Sequence, residues 1–114
     1  MPPERRELSY LWDMRQAARE IVEMMRSVKF SEFERNKILR YAVERQLLVI
    51  GEAANHLSPQ FRSKHPEISW PQLIALRNIL AHEYGETLVN RVWLAATESV
   101  PELLNSLEGL VADE

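Results

Sequence analysis

The stretch LRYAVERQLLVIGEAANHL, residues 39–57, decides between a helical fold and one that contains a sheet. Its middle, LLVIG, has the composition of a β-strand when taken by itself. The apolar positions of the whole stretch nevertheless recur in steps of three and four: Leu39, Val43, Leu47, Ile50, Ala54 and Leu57. This spacing places them on one face of an α-helix, so we predict one long helix here. Ser31 and Glu34, which precede it, have the spacing of a capping box.

The helical period extends in both directions from this stretch. The other predicted helices run from Leu8 to about Val28, from about Pro59 to Lys64 and from Pro71 to Tyr84 with Gly85 as the stop, and a last one begins near Thr87. The period of the last helix continues through Pro101, which predicts either a kinked helix or two helices that meet there. The expected fold is therefore all-α: a bundle of four to five helices in a single domain, residues 1–114.

The composition is that of an ordinary soluble globular domain, with 46% apolar and 27% charged residues among 114. The chain has no cysteine, which excludes disulfides and thiolate chemistry. A net charge of −3 argues against a general nucleic-acid coat protein but permits a small basic site. No segment approaches the roughly 20 apolar residues of a membrane span, so we expect a cytoplasmic protein without a membrane partner.

The stretch RNILAHEY, residues 77–84, gathers the chemically active side chains. The guanidinium of Arg77 is permanently charged and its fork matches phosphate oxygens. His82 belongs to the residue type that most often acts as a general acid or base at neutral pH. An arginine and a histidine suffice for metal-free RNA cleavage, in which the ribose 2′-hydroxyl attacks its own phosphate. The spacing alone fits equally well a pair that only caps helix carbonyls.

The positions of these residues on a helix suggest how they are used. Asn78 and His82 are four residues apart and share a face, whereas Arg77 and Tyr84 are seven apart and share another. The directions of Arg77 and His82 differ by about 140°, with about 7.5 Å of rise between them. One unbroken helix does not aim both at a single phosphate. Either the helix frays near His82, or a second copy of the chain supplies the other half of the site.

Residues elsewhere offer support with more than one interpretation. Glu52 lies on the polar face of the long helix, where it can orient Arg77 or pair with Arg45 inside the bundle. Five further cations form either a solvated surface or a rim that follows RNA: Arg35, Lys37, Arg40, Arg62 and Lys64. Neither a carboxylate–histidine set with metal-ligand spacing nor a nucleophile elbow is present, so we predict no metal site and no cofactor.

Several motifs together resemble one known family. VIGEAANHLS at residues 49–58, FRSKHPEISWPQLIALRNILAH at 61–82 and the tyrosine of RNILAHEY are similar to HEPN-domain toxins of the HepT type, which carry an Arg-x4-His-x-Tyr signature. The VW pair at 92–93 and the helical first half also fit, so the resemblance extends over essentially the whole chain.

The resemblance implies a homodimeric HEPN bundle that acts as the toxin of a type II toxin–antitoxin system. Such a toxin is a metal-independent endoribonuclease, neutralised by a minimal nucleotidyltransferase antitoxin that can attach AMP to the motif tyrosine. Carried over to this chain, Arg77 and His82 are the catalytic pair, Asn78 is a positioning residue and Tyr84 accepts the modification. Gly85 departs from the aromatic residue that often follows the tyrosine, which predicts a more open rim to the groove.

Two other functions are compatible with the sequence. The chain can be a non-catalytic HEPN subunit that serves a nucleotidyltransferase as scaffold or as modification substrate. It can also be a helical binding module that uses the same groove for a nucleotide. Loss of function on substitution of Arg77 or His82 distinguishes the enzyme from both.

Overall fold

A computed structural model describes residues 5–111, so the ends of the predicted 1–114 domain lie outside the described residues. This part of the chain consists of helices joined by short connections and contains no strand. The elements are α1 (Arg5–Met24), α2 (Phe30–Arg35), α3 (Lys37–His56), α4 (Pro59–Lys64), α5 (Trp70–His82), α6 (Gly85–Leu94), a π-helical turn (Ala95–Ser99) and α7 (Val100–Leu110). The all-α prediction is confirmed, and the LLVIG segment lies inside α3. No helix in residues 5–111 combines the length and the apolar character that crossing a membrane requires.

The core lies between α1, α3 and the rod formed by α6, the π turn and α7. Contacts at both ends of α1 show that it runs antiparallel to α3. The Tyr10 ring stacks on His56 with centroids 5.2 Å apart, and Gln46 donates to the Glu20 carboxylate at 2.6 Å. The predicted stripe of α3 is buried at Val43, Leu47, Ile50 and Ala54, as its spacing required.

The start of α3 differs from the sequence prediction. The capping box of Ser31 and Glu34 was wrong, because α2 already begins at Phe30 and places Ser31 inside its first turn. The chain leaves the helical conformation at Asn36, with φ −100° and ψ 90°. The Asn36 side chain then accepts a hydrogen bond from the Leu39 amide at 3.0 Å and caps α3.

The chain passes through Pro101 without leaving the helical conformation. Leu94 and Val100, on either side of the π turn, both have right-handed helical dihedrals. Pro101 lacks an amide hydrogen, and a π turn is one way in which a helix absorbs such an interruption. The Thr97 hydroxyl donates to the Trp93 carbonyl at 2.7 Å within this turn. The structure thus has one continuous helical segment here, with a π-helical turn just before the proline, rather than two separate helices.

The end of α5 also corrects a prediction. The helix was expected to reach Tyr84 and stop at Gly85, but it ends at His82. Glu83 and Tyr84 are extended, with ψ values of 152° and 164°. Gly85 has φ +61° and is the first residue of α6, so its left-handed conformation starts a helix rather than ending one.

Candidate functional site

Gly51 sets the distance between α3 and α5. A Cβ atom at this position would lie 2.9 Å from the Leu73 carbonyl oxygen, closer than real Cβ contacts allow. The same Cβ would meet Leu76 Cβ at 3.7 Å and Arg77 Cγ at 3.4 Å. Only a residue without a side chain therefore permits this approach, which lays the Arg77 stem along α3.

The approach of the two helices brings Arg77 to Glu52, the residue that follows Gly51. Arg77 Nε and Glu52 Oε1 lie 2.5 Å apart, with 42% and 43% of the two side chains exposed. Of the two partners that the sequence offered Glu52, the structure places it on Arg77 rather than Arg45. The contact uses Nε, and the guanidinium has further N–H donors that suit a phosphate.

His82 is the last residue of α5 and is exposed. The helix is regular from Arg77 to His82, so the angular difference of about 140° and the rise of about 7.5 Å between them apply. The structure therefore does not bring the Arg77 and His82 side chains together within one chain through an early end of the helix. The contribution of a second copy of the chain stays a prediction.

Tyr84 lies in the short extended segment between α5 and α6, with 80% of its surface exposed. The expectation that Arg77 and Tyr84 share a helical face was wrong, because the helix ends two residues before the tyrosine. An exposed side chain on extended backbone is accessible to a modifying enzyme. The sequence could not show this, because the change of conformation occurs at Glu83.

Glu83 ties this segment to α6. Its Oε1 atom lies 2.8 Å from Arg91 Nε, although the two groups are not aligned for a hydrogen bond. The Glu83 side chain is 25% exposed and that of Arg91 55%. Sequence reasoning missed both Glu83 and Gly51. The signal for Gly51 was a glycine inside a strong helical period, which often marks close approach of another backbone.

Asn78 borders a shallow hollow of about 670 Å³ between α4 and α5. The hollow is lined by Pro59, Arg62, Ser63, Trp70, Pro71, Ile74, Ala75 and Asn78. Asn78 itself is exposed, and it shares a face of α5 with His82 because the two residues are four apart.

A second concavity, the α5–α7 groove, lies on another side of α5. It has a volume of about 410 Å³ and runs between α5 and the rod of α6, the π turn and α7. Its apolar lining includes Leu76, Ile79 and Leu80 of α5 and Leu94 of α6. Leu94 is 51% exposed at the edge of this groove.

The remaining cationic candidates differ in whether the fold uses their side chains. Arg40 donates to the carbonyl oxygens of Phe33, at 3.2 Å, and Glu34, so it fixes the end of α2. Arg35 and Lys37 are exposed beside it. Within residues 5–111, no three His, Cys, Asp or Glu side chains come together as a metal-ligand set.

Comparison with known proteins places the chain in a family. Residues 14–110 match the model of the family described as "Ribonuclease HepT-like". A protein of Methanocaldococcus jannaschii named as a candidate RNase is 35% identical over 100 residues, which cover 88% of this chain and 92% of the relative. A probable ribonuclease HepT of Thermococcus cleftensis is 35% identical over 101 residues, which cover 89% of this chain and 92% of the relative.

No solved structure matches the chain. The family match extends over both α3 and α5, so it includes Gly51, Glu52 and the whole of the RNILAHEY segment. The helical architecture agrees with the all-α HEPN bundle that the sequence predicted. The chain belongs to the HepT-like ribonuclease family.

Proposed function

We propose that this protein is a metal-independent endoribonuclease that cleaves RNA at a site built from Arg77 and His82. One observation carries the proposal: Arg77 is exposed yet held by Glu52, on a helix whose last residue is the exposed His82. A structural arginine would have its donors occupied by the fold. The Arg77 guanidinium keeps N–H donors for an anion, and membership of a ribonuclease family indicates that this anion is RNA.

Each residue of the site has a separate role in the proposed reaction. His82 transfers a proton, either from the attacking 2′-hydroxyl or to the departing 5′-oxygen. Arg77 stabilises the negative charge that develops on the phosphorane oxygens. Asn78 positions the substrate by hydrogen bonding, and Glu52 limits the conformations of Arg77. The attack needs the 2′-hydroxyl, so DNA is not a substrate.

A homodimer completes this site. Arg77 and His82 point in directions that differ by about 140° on α5, so one phosphate does not reach both in one chain. The α5–α7 groove offers a surface on which a second copy can bury apolar side chains, and the exposed Leu94 lies beside it. We expect a two-fold axis to bring Arg77 of one chain towards His82 of the other beside this groove rather than inside it, since neither residue lines the groove.

The same site explains a toxin function and its control. Free ribonuclease activity in a cell is harmful, which fits the toxin of a type II toxin–antitoxin system with a minimal nucleotidyltransferase as antitoxin. Tyr84 is 80% exposed and follows His82 by two residues. An AMP group on its hydroxyl adds a phosphate and a base beside the histidine, and so obstructs RNA.

Expression in cells tests this function and the shared site together. The wild-type chain, expressed alone, should arrest growth, and Arg77→Ala or His82→Ala should each abolish the arrest. Expressing the two variants together should restore part of it, since a mixed dimer holds one site with an intact Arg77 and an intact His82. No restoration would contradict a site shared between chains. Arrest by both single variants would contradict the catalytic assignment.

Intact-mass measurement tests the role of Tyr84. Co-expression with the nucleotidyltransferase partner should add one or more AMP units, and Tyr84→Phe should remove this increase. Tyr10→Phe is the control, because Tyr10 is half-buried against His56. An increase that persists in Tyr84→Phe places the modification elsewhere. If the chain accepts AMP from the partner but does not arrest growth when it is expressed without the partner, the scaffold function is favoured instead.

A further inference from the structure

We propose that the α4–α5 hollow binds one nucleotide of single-stranded RNA next to the bond that is cut. This inference rests on the proposed ribonuclease function and assigns a substrate-binding subsite to it. The phosphate of that nucleotide contacts Arg62, its base lies on the apolar floor of the hollow, and Asn78 contacts the edge of the base.

The hollow is held open by the way in which α4 and α5 begin. Each helix has a proline in its first turn, Pro59 and Pro71, and both prolines line the hollow. The buried Trp70 anchors the connection, because its indole Nε1 donates to the His65 carbonyl at 2.9 Å. Ser58 caps α4 by accepting from the Phe61 amide at 3.1 Å. The cleft is thus formed before any ligand arrives, which lowers the entropic cost of binding.

The lining has the mixture of groups that a nucleotide requires. Pro71, Ile74 and Pro59 supply apolar surface for the face of a base. Arg62 provides a cation for phosphate, and the Asn78 amide can both donate to and accept from a base edge. The hollow, of about 670 Å³, is shallow and open to solvent, so a nucleotide can enter it from the surface.

One cation lines the hollow and can attract a phosphate. The sequences of α4 and α5, PQFRSK and WPQLIALRNILAH, contain Arg62, Lys64 and Arg77 but no aspartate or glutamate. The carboxylate in the connection, Glu67, lies 3.5 Å from His65 Nδ1. Of these three cations, Arg62 lines the hollow, whereas Arg77 is paired with Glu52. The Glu7 carboxylate lies 3.4 Å from the Ser58 amide at the start of α4. Arg62 therefore supplies the positive charge that attracts a phosphate at this point.

The hollow also lies in register with the catalytic residues. Asn78 and His82 occupy one face of α5 and differ by four residues, which is a rise of about 6 Å. A nucleotide seated against Asn78 therefore extends its backbone along α5 towards His82. Arg77 lies on the adjoining α3 side of the helix, next to Glu52.

Two variants of α4 test the subsite. Arg62→Gln removes a cation from the hollow, whereas Lys64→Gln removes the same charge from an exposed position of the same helix that does not line it. The probe is a fluorescent single-stranded 2′-O-methyl oligonucleotide of mixed sequence, which lacks the free hydroxyl needed for cleavage. Arg62→Gln should raise its Kd about 10-fold, the effect of losing one charged hydrogen bond, and Lys64→Gln by no more than about twofold.

A second pair of variants keeps the subsite testable if Arg62→Gln does not fold. If Arg62→Gln fails to fold by circular dichroism, Asn78→Ala replaces it, with the exposed Asn55→Ala of α3 as control. Asn78→Ala should weaken binding severalfold and Asn55→Ala should leave it unchanged. Equal effects of variant and control, or no binding by the wild-type chain, would overturn the subsite.

Cleavage of an ordinary RNA separates this inference from the proposed function. If the wild-type chain cleaves RNA, Arg62→Gln should raise KM and leave kcat nearly unchanged. Cleavage with an unchanged KM in Arg62→Gln would overturn the subsite while the ribonuclease function stands. Specific loss of oligonucleotide binding in Arg62→Gln, in a chain that cleaves no RNA, would support nucleotide binding in the hollow and overturn the ribonuclease function.

Discussion

At the scale of single residues, the site depends on one ion pair between two half-exposed side chains. The types of Arg77 and His82 suggest the proposed chemistry from the sequence alone, and their catalytic roles stay a prediction. The partner of Glu52 was not predictable, because Arg45 lies on the same helix whereas Arg77 comes from another. The register of α3 on α5, set at Gly51, decides between them.

Glu52 should matter for catalysis more than for stability. A half-exposed ion pair contributes less than about 1 kcal/mol to folding, so Glu52→Ala should leave the free energy of unfolding nearly unchanged. The same variant should lower kcat roughly 10-fold, because Arg77 loses its fixed position while its charge remains. Glu52→Gln, which keeps the size and polarity of the side chain without its charge, should recover part of kcat. Glu23→Ala, an exposed carboxylate of α1, is the control. A kcat unchanged in Glu52→Ala would contradict the positioning role.

Glu44 gives a stability prediction that depends on pH. Burial raises the pKa of its carboxyl above the usual range, although nearby Arg40 opposes the shift. The folded state therefore favours the protonated form, and ionised Glu44 reduces stability at pH values above that raised pKa. Glu44→Gln should raise Tm at neutral pH, and this gain should disappear as the pH falls through the pKa. An equal gain at acidic and neutral pH would contradict ionisation as the cause.

At the scale of elements, the helical periods were predictable and the ends of the helices were not. The period of α3 identified a helix where composition alone favoured a strand. Its start was mispredicted because Phe33 is buried in the short α2, which moves the break in the chain to Asn36. The end of α5 was mispredicted because glycine was assumed to end a helix, whereas Gly85 begins one.

The approach of α3 to α5 can be tested at Gly51. Gly51→Ala should destabilise the protein by about 1–3 kcal/mol, because its Cβ would force the backbone at Leu73 away. Gly109→Ala is the matched control, since a Cβ there meets no atom within 4 Å. That variant should stabilise α7 by about 0.5–1 kcal/mol. Urea unfolding measures both. A neutral Gly51→Ala would show that the helices do not approach this closely.

At the scale of the whole molecule, the proposed site shared between two chains requires a dimer. The pattern of the sequence suggested this through the directions of Arg77 and His82. The sequence could not indicate which surface forms the proposed dimer interface, because the α5–α7 groove is formed by residues distant in sequence. Which side chains are left exposed beside such a groove follows only from the packing of the rod on α1 and α3.

Light scattering can test this groove as the interface. Leu94→Asp places a charge beside the groove and should convert the dimer to a monomer that lacks ribonuclease activity. Ile38→Asp is the matched control, because Ile38 is 83% exposed on α3 and does not line the groove. A dimer that survives Leu94→Asp but not Ile38→Asp would move the interface to α3.

The central claim is that Arg77 and His82 cleave RNA without a metal. The most direct measurement incubates single-stranded RNA with the chain, purified without its partner and shown by mass to be unmodified at Tyr84, in EDTA at neutral pH. The wild-type chain should cleave the RNA, and His82→Ala should be slower by at least about 100-fold, as expected for loss of a general acid or base. Absence of cleavage by the unmodified wild-type chain, or equal cleavage by both, would contradict the account.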